Sequence, residues 1–220
     1  MQIKHIARII AIATALVGAQ AHAAAVNLIS DGGFNIGAAY NNYNYANGFH
    51  GTMTGKGSPW TFTDASGVAN HAGAWGGLAS IDSVAFIQSY SGFTSNTPTV
   101  SQSFSSNASS YIVTFDLAQR PGNRESLQVT LDGQVLSGGL LTPASSAVSS
   151  YSYTVSGLTG SNHILQFKGV NNSGASDSSL FLDNVSVTAA VPEPETYAML
   201  MAGLAMVGAV ARRRKGKQAA

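Results

Sequence analysis

Apolar and polar residues alternate through the middle of the chain. Every second residue from Tyr111 to Leu117 is large and apolar, and the alternation returns at Leu127–Leu131 and Tyr151–Val155. A period of two is typical of a strand with one buried face, and no stretch there keeps the 3.6-residue period of an amphipathic helix. The pattern predicts about nine strands, at residues 26–29, 60–63, 84–88, 99–104, 111–117, 127–131, 151–155, 163–169 and 180–187.

Turn residues separate these segments. Asp132-Gly133 lies between Leu131 and Gln134, and this dipeptide tolerates the positive φ angles of a two-residue hairpin turn. Many short strands with turns between them favour an all-β fold, and we predict an antiparallel β-sandwich, or jelly roll, over residues 24–190. The stretch from Gly32 to Gly57 is rich in Asn, Gly and Tyr, and we interpret it as a long loop and not as a strand.

The first 23 residues read as a signal peptide. Lys4 and Arg8 precede an apolar stretch, and Ala21-His22-Ala23 provides the small residues that signal peptidase recognises. We predict cleavage after Ala23, with signal peptidase as a processing partner. The alternative is a first helix of the domain.

Composition and charge exclude several classes of function. The chain of 220 residues has no Cys, which excludes disulfides, thiolate zinc sites and a cysteine nucleophile. The domain at 24–190 has four Lys and Arg residues against eight Asp and Glu residues, a net charge of −4. It lacks the basic footprint that nucleic acids require, so we expect no nucleic-acid partner.

The last 30 residues have a different organisation. An apolar run of 15 residues, 197–211, lies between a proline-rich segment and a basic cluster. The proline-rich segment is Val191, Pro192, Glu193, Pro194 and Glu195. The basic cluster is Arg212, Arg213, Arg214 and Lys215. As a helix the run would be roughly 22 Å long, which is less than the thickness of a hydrocarbon core of about 30 Å. The long side chains of the following arginines can reach the membrane surface and so extend the span. We therefore predict a short transmembrane helix whose basic end stays in the cytoplasm.

This order of motif, apolar helix and basic stop resembles the PEP-CTERM sorting signal. The resemblance covers residues 191–220 and implies export through the inner membrane of a Gram-negative bacterium. It also implies transient anchoring, processing by exosortase, and a final place at the cell surface or in the extracellular matrix, associated with exopolysaccharide. A proline-rich linker before an ordinary tail anchor is the alternative.

Segments at both ends of the predicted sandwich resemble the galactose-binding-like jelly rolls of carbohydrate-binding modules. The matching segments are residues 27–34, 58–61, 111–118 and 181–187. The resemblance implies glycan binding and a structural calcium ion, with Asp31 and Asp183 as ligands. Asn35 stands where the family usually has an acid. Asp183 is in phase with Phe181 and Val185, which favours an inward orientation, whereas Leu180 and Leu182 on the other phase favour the opposite one. A strand-end cap is its other interpretation.

Glycan contacts are assigned to aromatic and polar loop residues, because sugars combine apolar C–H faces with hydroxyl groups. The predicted set is Tyr40, Tyr43, Tyr45, Trp75 and Arg120. Arg120 also has a structural interpretation, an ion pair with Glu125. Trp60 is predicted to lie in the core.

Catalytic signals are weak. The domain has no recognised catalytic motif, although the pairs Asp64 with Asp82 and Glu125 with Asp132 remain open as glycosidase carboxylates. His50 and His71 remain open as a shared metal site, and His163 is predicted to be packed in a strand. We predict a noncatalytic glycan-binding or exopolysaccharide-binding protein. A surface hydrolase or lyase and a structural envelope protein without a ligand are the alternatives.

Overall fold

The computed structural model describes residues 25–36, 43–45, 57–70, 83–91, 97–122, 124–171, 174–190 and 199–208. The predicted signal peptide lies outside these residues, as do Tyr40, Trp75, the Pro-Glu-Pro segment at 191–195 and the basic cluster at 212–215. Residues 25–190 form one compact unit.

Within the described residues, eleven strands form two antiparallel sheets, which confirms the predicted sandwich. A six-stranded sheet has the order β1-β3-β4-β11-β6-β9, and a five-stranded sheet has the order β2-β5-β10-β7-β8. The strands are β1 Tyr43–Tyr45, β2 Thr61–Thr63, β3 Ser66–Asn70, β4 Ser83–Tyr90, β5 Thr99–Ser105, β6 Ser110–Gln119, β7 Ser126–Leu131, β8 Gln134–Val135, β9 Ser149–Ser156, β10 Asn162–Val170 and β11 Asp177–Ala189.

The main core lies between the two sheets and follows the alternation in the sequence. Tyr111, Val113, Phe115 and Leu117 of β6 all point into it and are almost fully buried. Trp60 is buried as predicted, and its indole Nε1 donates a hydrogen bond to the carbonyl of Asp31 at 2.8 Å. A second, smaller cluster covers the outer face of the six-stranded sheet; it consists of Ala65, Ala69, Val84, Phe86, Ala118 and Phe181.

The segment predicted as a long loop contains a strand, so that prediction was wrong in part. Tyr43–Tyr45 forms β1, which pairs with β3 in the register Tyr43 with Ala69 and Tyr45 with Gly67. Tyr is a favourable strand residue, and the pairing partner lies more than twenty residues further along the chain, where local sequence gives no sign of it. The strand β3 was also missed, and residues 26–29 lie beside β11 without forming a regular strand.

Asp183 faces away from the main core, against the predicted inward orientation, and a β-bulge follows it in β11. The register with β6 shifts between Asp183 and Ser186, and Asn184 has a φ of 50°. Leu182 on one side of the bulge and Val185 on the other both enter the main core. Asp183 shares the outer face with Phe181 by ordinary alternation, and the bulge after it returns Val185 to the core, so Asp183 and Val185 are not in phase.

Part of the apolar tail forms a helix, α1, at residues 199–208. The described part of this helix is too short to cross a membrane, and no other described helix is long and apolar enough to do so.

Candidate functional site

The first segment of the domain is attached to the end of β11. The amide of Leu28 donates to the carbonyl of Val187 at 2.8 Å, and the amide of Val185 donates to the carbonyl of Gly32 at 2.9 Å. A Cβ atom at position 32 would lie 2.0 Å from the carbonyl oxygen of Val185. Only glycine permits this approach, because a backbone atom cannot move aside as a side chain can. The chain ends of the domain therefore meet, as the jelly-roll resemblance implies.

Asp31 acts as a turn residue in this junction. It has a φ of 51°, and its carboxylate accepts hydrogen bonds from the backbone amides of Asn35 at 2.8 Å and Ile36 at 3.0 Å. Asp side chains commonly stabilise tight turns in this way. Both carboxylate oxygens of Asp31 are therefore engaged in holding the 31–36 turn.

Asp183 lies in a narrow crevice on the outer face of the six-stranded sheet. It is 6% exposed and stands directly opposite Asp116 of β6. The side-chain amide Nδ2 of Asn184 donates a hydrogen bond to the carboxylate of Asp116 at 2.8 Å. We call this feature the outer crevice; it is shallow and is lined by Val84, Asp116, Leu117, Ala118, Val148, Phe181 and Asp183.

Asp31 and Asp183 are the two predicted calcium ligands. Asp31 is bound by two backbone amides, and the described residues include no group of three or more His, Asp or Glu side chains arranged to hold a metal ion. Calcium prefers six to eight oxygen ligands. Calcium at Asp31 and Asp183 therefore stays a prediction.

Arg120 forms an ion pair with Asp177, so Glu125 was the wrong structural partner. Its guanidinium Nη1 lies 3.0 and 2.9 Å from the two carboxylate oxygens of Asp177. Gln88 donates to the same carboxylate at 2.6 Å. The three side chains come from β4, β11 and the residue after β6. This polar group lies at one end of the sheet, and a glycan contact by Arg120 stays a prediction.

The carboxyl group of Glu125 is buried between the two sheets. Its Oε1 accepts a hydrogen bond from the hydroxyl of Ser89 at 2.7 Å, and its Oε2 accepts one from Ser178. Gln119 binds the backbone of Glu125 through both its amide nitrogen and its amide oxygen. Burial raises the pKa of Glu125 to about 6, although the two serine hydroxyls oppose the shift. We call these four residues the glutamate cluster.

His163 belongs to a second buried polar group and is packed in β10, as predicted. Its Nδ1 lies 2.6 Å from the carboxylate of Asp132, and its Nε2 lies 2.9 Å from the hydroxyl of Tyr111 and 3.1 Å from the carbonyl of Ser106. His163 and Tyr111 are fully buried. We call these four residues the histidine cluster; a substrate has no access to the imidazole, so the cluster is structural.

The carboxylate pair Glu125 and Asp132 is excluded as a glycosidase site. The two residues flank the six-residue strand β7, so they are seven residues apart along an extended backbone. At about 3.3 Å per residue this separation is roughly 23 Å, whereas glycosidase carboxylates lie about 5 to 10 Å apart. Asp64 lies in the turn before β3, and Asp82, His50 and His71 lie outside the described residues.

The predicted glycan-binding residues are not all neighbours. Tyr43 and Tyr45 belong to β1, and Arg120 follows β6, which is four strands away in the same sheet. At about 4.8 Å between adjacent strands the separation is roughly 19 Å. The sheet therefore holds these residues on separate parts of its surface.

Sequence reasoning missed Asp116 and Asn184 of the outer crevice. Asp116 appeared only as a polar position of an alternating strand, and Asn184 as part of a strand-closing motif. The available signal was the Asp-Asn dipeptide within an apolar segment, because Asn tolerates positive φ and often marks an irregularity. Nothing in the sequence indicated that Asp116 and Asp183 stand opposite each other.

A comparison with protein families supports the resemblance of the C-terminal tail. The model of the PEP-CTERM protein-sorting motif matches residues 190–215. This confirms the predicted tail and indicates an exported protein that exosortase processes. None of the curated proteins matches the chain.

Several solved structures of carbohydrate-binding modules share the jelly-roll fold. TmCBM61 in complex with β-1,4-galactotriose is 14% identical, covers 75% of this chain and 99% of its own, and has a TM-score of 0.46. A xylan-binding domain of family 22 from Paenibacillus barcinonensis is 10% identical over 62% of this chain and 89% of its own, with a TM-score of 0.44. A family 35 module from Clostridium thermocellum is 11% identical over 60% and 92%, with a TM-score of 0.41. At these identities the likeness concerns the fold alone.

Proposed function

We propose that this protein is a noncatalytic glycan-binding protein of the cell surface or extracellular matrix, with exopolysaccharide as its ligand. In this proposal the chain crosses the inner membrane of a Gram-negative bacterium, is anchored transiently by its C-terminal helix, and is released from that anchor by exosortase. The match to the sorting motif at residues 190–215 supports export and processing.

The outer crevice is the observation that supports glycan binding. Phe181, Val84 and Ala118 form the nearly buried apolar base of this shallow crevice, and the carboxylates of Asp116 and Asp183 lie beside them. Sugars combine apolar C–H faces with hydroxyl donors, so an apolar floor bordered by carboxylate and amide groups complements them. Asn184 holds the carboxylate of Asp116 in position. The predicted contacts at Tyr40, Tyr43, Tyr45, Trp75 and Arg120 stay a separate part of this proposal.

The test is the binding of residues 25–190 to a glycan panel that includes the exopolysaccharide of the source organism. We expect saturable binding that weakens at least about tenfold in Asp116→Asn, because the amide removes an acceptor and the charge that strengthens it. Ser103→Ala on the other sheet is the matched control. Tyr43→Ala, Trp75→Ala and Arg120→Ala test the predicted contacts.

The outcomes separate the three classes of function. Absence of binding by a folded domain would overturn the proposal and favour a structural envelope protein. Release of shortened sugars during incubation would identify a hydrolase or lyase. Thermal unfolding of the domain with calcium and with a chelator tests the calcium prediction. A structural ion would raise the melting temperature, because it binds the folded domain and not the unfolded chain.

A further inference from the structure

The edge strands of the sandwich differ sharply in length. β2 has three residues and β8 has two, whereas β9 has eight. Short edge strands are one device by which proteins avoid pairing with other chains, because a short edge offers few backbone groups. Both described edges of the five-stranded sheet therefore have this protection, and β9 lacks it.

β9 also lacks the other protective features. It contains no proline and no charged residue, and its register with β6 runs without a bulge from Ser110 opposite Ser156 to Leu117 opposite Ser149. Within the described part of the chain, β6 is the only strand that pairs with β9. Most of its side chains are exposed. The other edge of β9 therefore presents a straight row of backbone donors and acceptors to solvent.

Charge indicates which partner suits this edge. The domain carries four basic and eight acidic residues, so two copies repel each other over most of their surface. From Gly133 to Phe167, however, the sequence has no Lys, Arg, Asp or Glu. β9 itself therefore brings no like charge to the interface, and the nearest carboxylate in the register of the adjacent strand is Asp116, opposite Ser150.

The side-chain pattern of β9 is self-complementary. Tyr151 and Tyr153 are half-buried and stack on Phe115 with ring centroids 5.5 and 6.0 Å away. Ser152 lies between them on the opposite face. When a two-fold axis passes through Ser152, Tyr151 of each copy stands opposite Tyr153 of the other, and serine and threonine positions meet on the outer face. Aromatic cross-strand pairs of this kind stabilise antiparallel sheets.

We propose that β9 pairs antiparallel with β9 of a second copy of this chain, so that two six-stranded sheets become one continuous sheet of twelve strands. The interface is isologous, as expected for a two-fold dimer. It joins two domains side by side and leaves the outer crevice of each copy in place.

Cysteine cross-linking tests this interface directly, because the chain has no natural Cys. In residues 25–190, a single Cys at Ser150, Ser152 or Thr154 is oxidised and the products are separated by mass. Only positions near the two-fold axis bring two Cα atoms within disulfide range. We expect a disulfide dimer at one of these positions, in at least about tenfold excess over Ser103→Cys, an exposed control on β5.

Sedimentation of the unmodified domain over a concentration series gives the second readout. We expect a monomer–dimer equilibrium that Ser152→Lys and Thr154→Lys weaken at least about tenfold at low salt, because the two-fold axis places the new charges close together. Ser103→Lys is the matched control and should leave the equilibrium unchanged. A monomer at every concentration, or a dimer that tolerates both lysines and does not cross-link through β9, would overturn the proposal.

Discussion

Both ends of the sandwich contain a buried polar cluster, but the carboxyl groups in the two clusters have different surroundings. At one end His163 is bound on both ring nitrogens, and its carboxylate partner Asp132 is 27% exposed. At the other end Glu125 is fully buried, and its carboxyl group contacts two serine hydroxyls and no cation. The histidine cluster thus keeps its carboxylate near solvent, whereas the glutamate cluster does not.

This difference shows that the ionised form of Glu125 is the buried charge that destabilises the fold. Hydrogen bonds satisfy both clusters, yet two hydroxyl donors do not replace the hydration of a carboxylate, so burial raises the pKa of Glu125 to about 6. The histidine cluster joins the β7–β8 turn to β6 and β10 and should contribute stability at neutral pH. The glutamate cluster should contribute more stability in acid than at neutral pH.

The largest effect is expected from His163→Ala, which breaks the histidine cluster. The substitution leaves a cavity beside Phe104 and Tyr111, whose ring centroids lie 5.4 and 5.1 Å from the imidazole, and removes the buried partner of the Tyr111 hydroxyl. We expect a loss of about 4 kcal/mol in the free energy of unfolding, measured by urea denaturation. Ser178→Ala, which removes one hydroxyl from the glutamate cluster, should cost less. A loss in His163→Ala below about 1 kcal/mol would show that the cluster does not join these strands.

A smaller, pH-dependent effect is expected from Glu125→Gln. The folded-state pKa of about 6 lies above the ordinary value of 4.5. The stability contributed by the protonated carboxyl is therefore complete below that ordinary value and is lost as the pH rises through the folded-state pKa. Over this range the wild type should lose about 2 kcal/mol that the Gln variant keeps. Urea denaturation of both proteins at about pH 4 and about pH 8 measures the change; a constant difference between them would contradict the assignment.

The smallest effect is expected from Tyr111→Phe, which removes one hydrogen bond and keeps the ring. His163 retains Asp132 and the carbonyl of Ser106 as partners. We expect a loss of about 1 kcal/mol, seen as a lower urea midpoint with an unchanged slope. Tyr151→Phe removes a hydroxyl outside the cluster and is the control. Equal effects in the two variants would mean that the Tyr111 hydroxyl has no special role.

Much of this fold could be predicted from local pattern. The alternation in β6 and β7 located both strands, and Asp132-Gly133 located the turn between β7 and β8, where the φ angles are 52° and 80°. These features depend on residues within a few positions of each other, so the sequence shows them directly. The sorting motif could be predicted for the same reason.

The rest depends on contacts between distant residues. Arg120 was assigned to Glu125, five residues away, but pairs with Asp177, which is 57 residues away. The bulge at Asn184, where φ is 50°, separates Asp183 on the outer face from Val185 in the core, although the sequence places these two residues in phase. The alternation in β11 pointed both ways at that position, and only the register with β6 decides between them.

The position of β11 also determines how the domain would bear a mechanical load. β11 has 13 residues, lies between β4 and β6, and ends at Ala189, next to the sorting tail. A force applied through that tail enters an interior strand that is bonded on both sides, not an edge strand that can be peeled away one hydrogen bond at a time. Several hydrogen bonds must then fail together, so a domain held by its C-terminus should resist extension better than one held through β9.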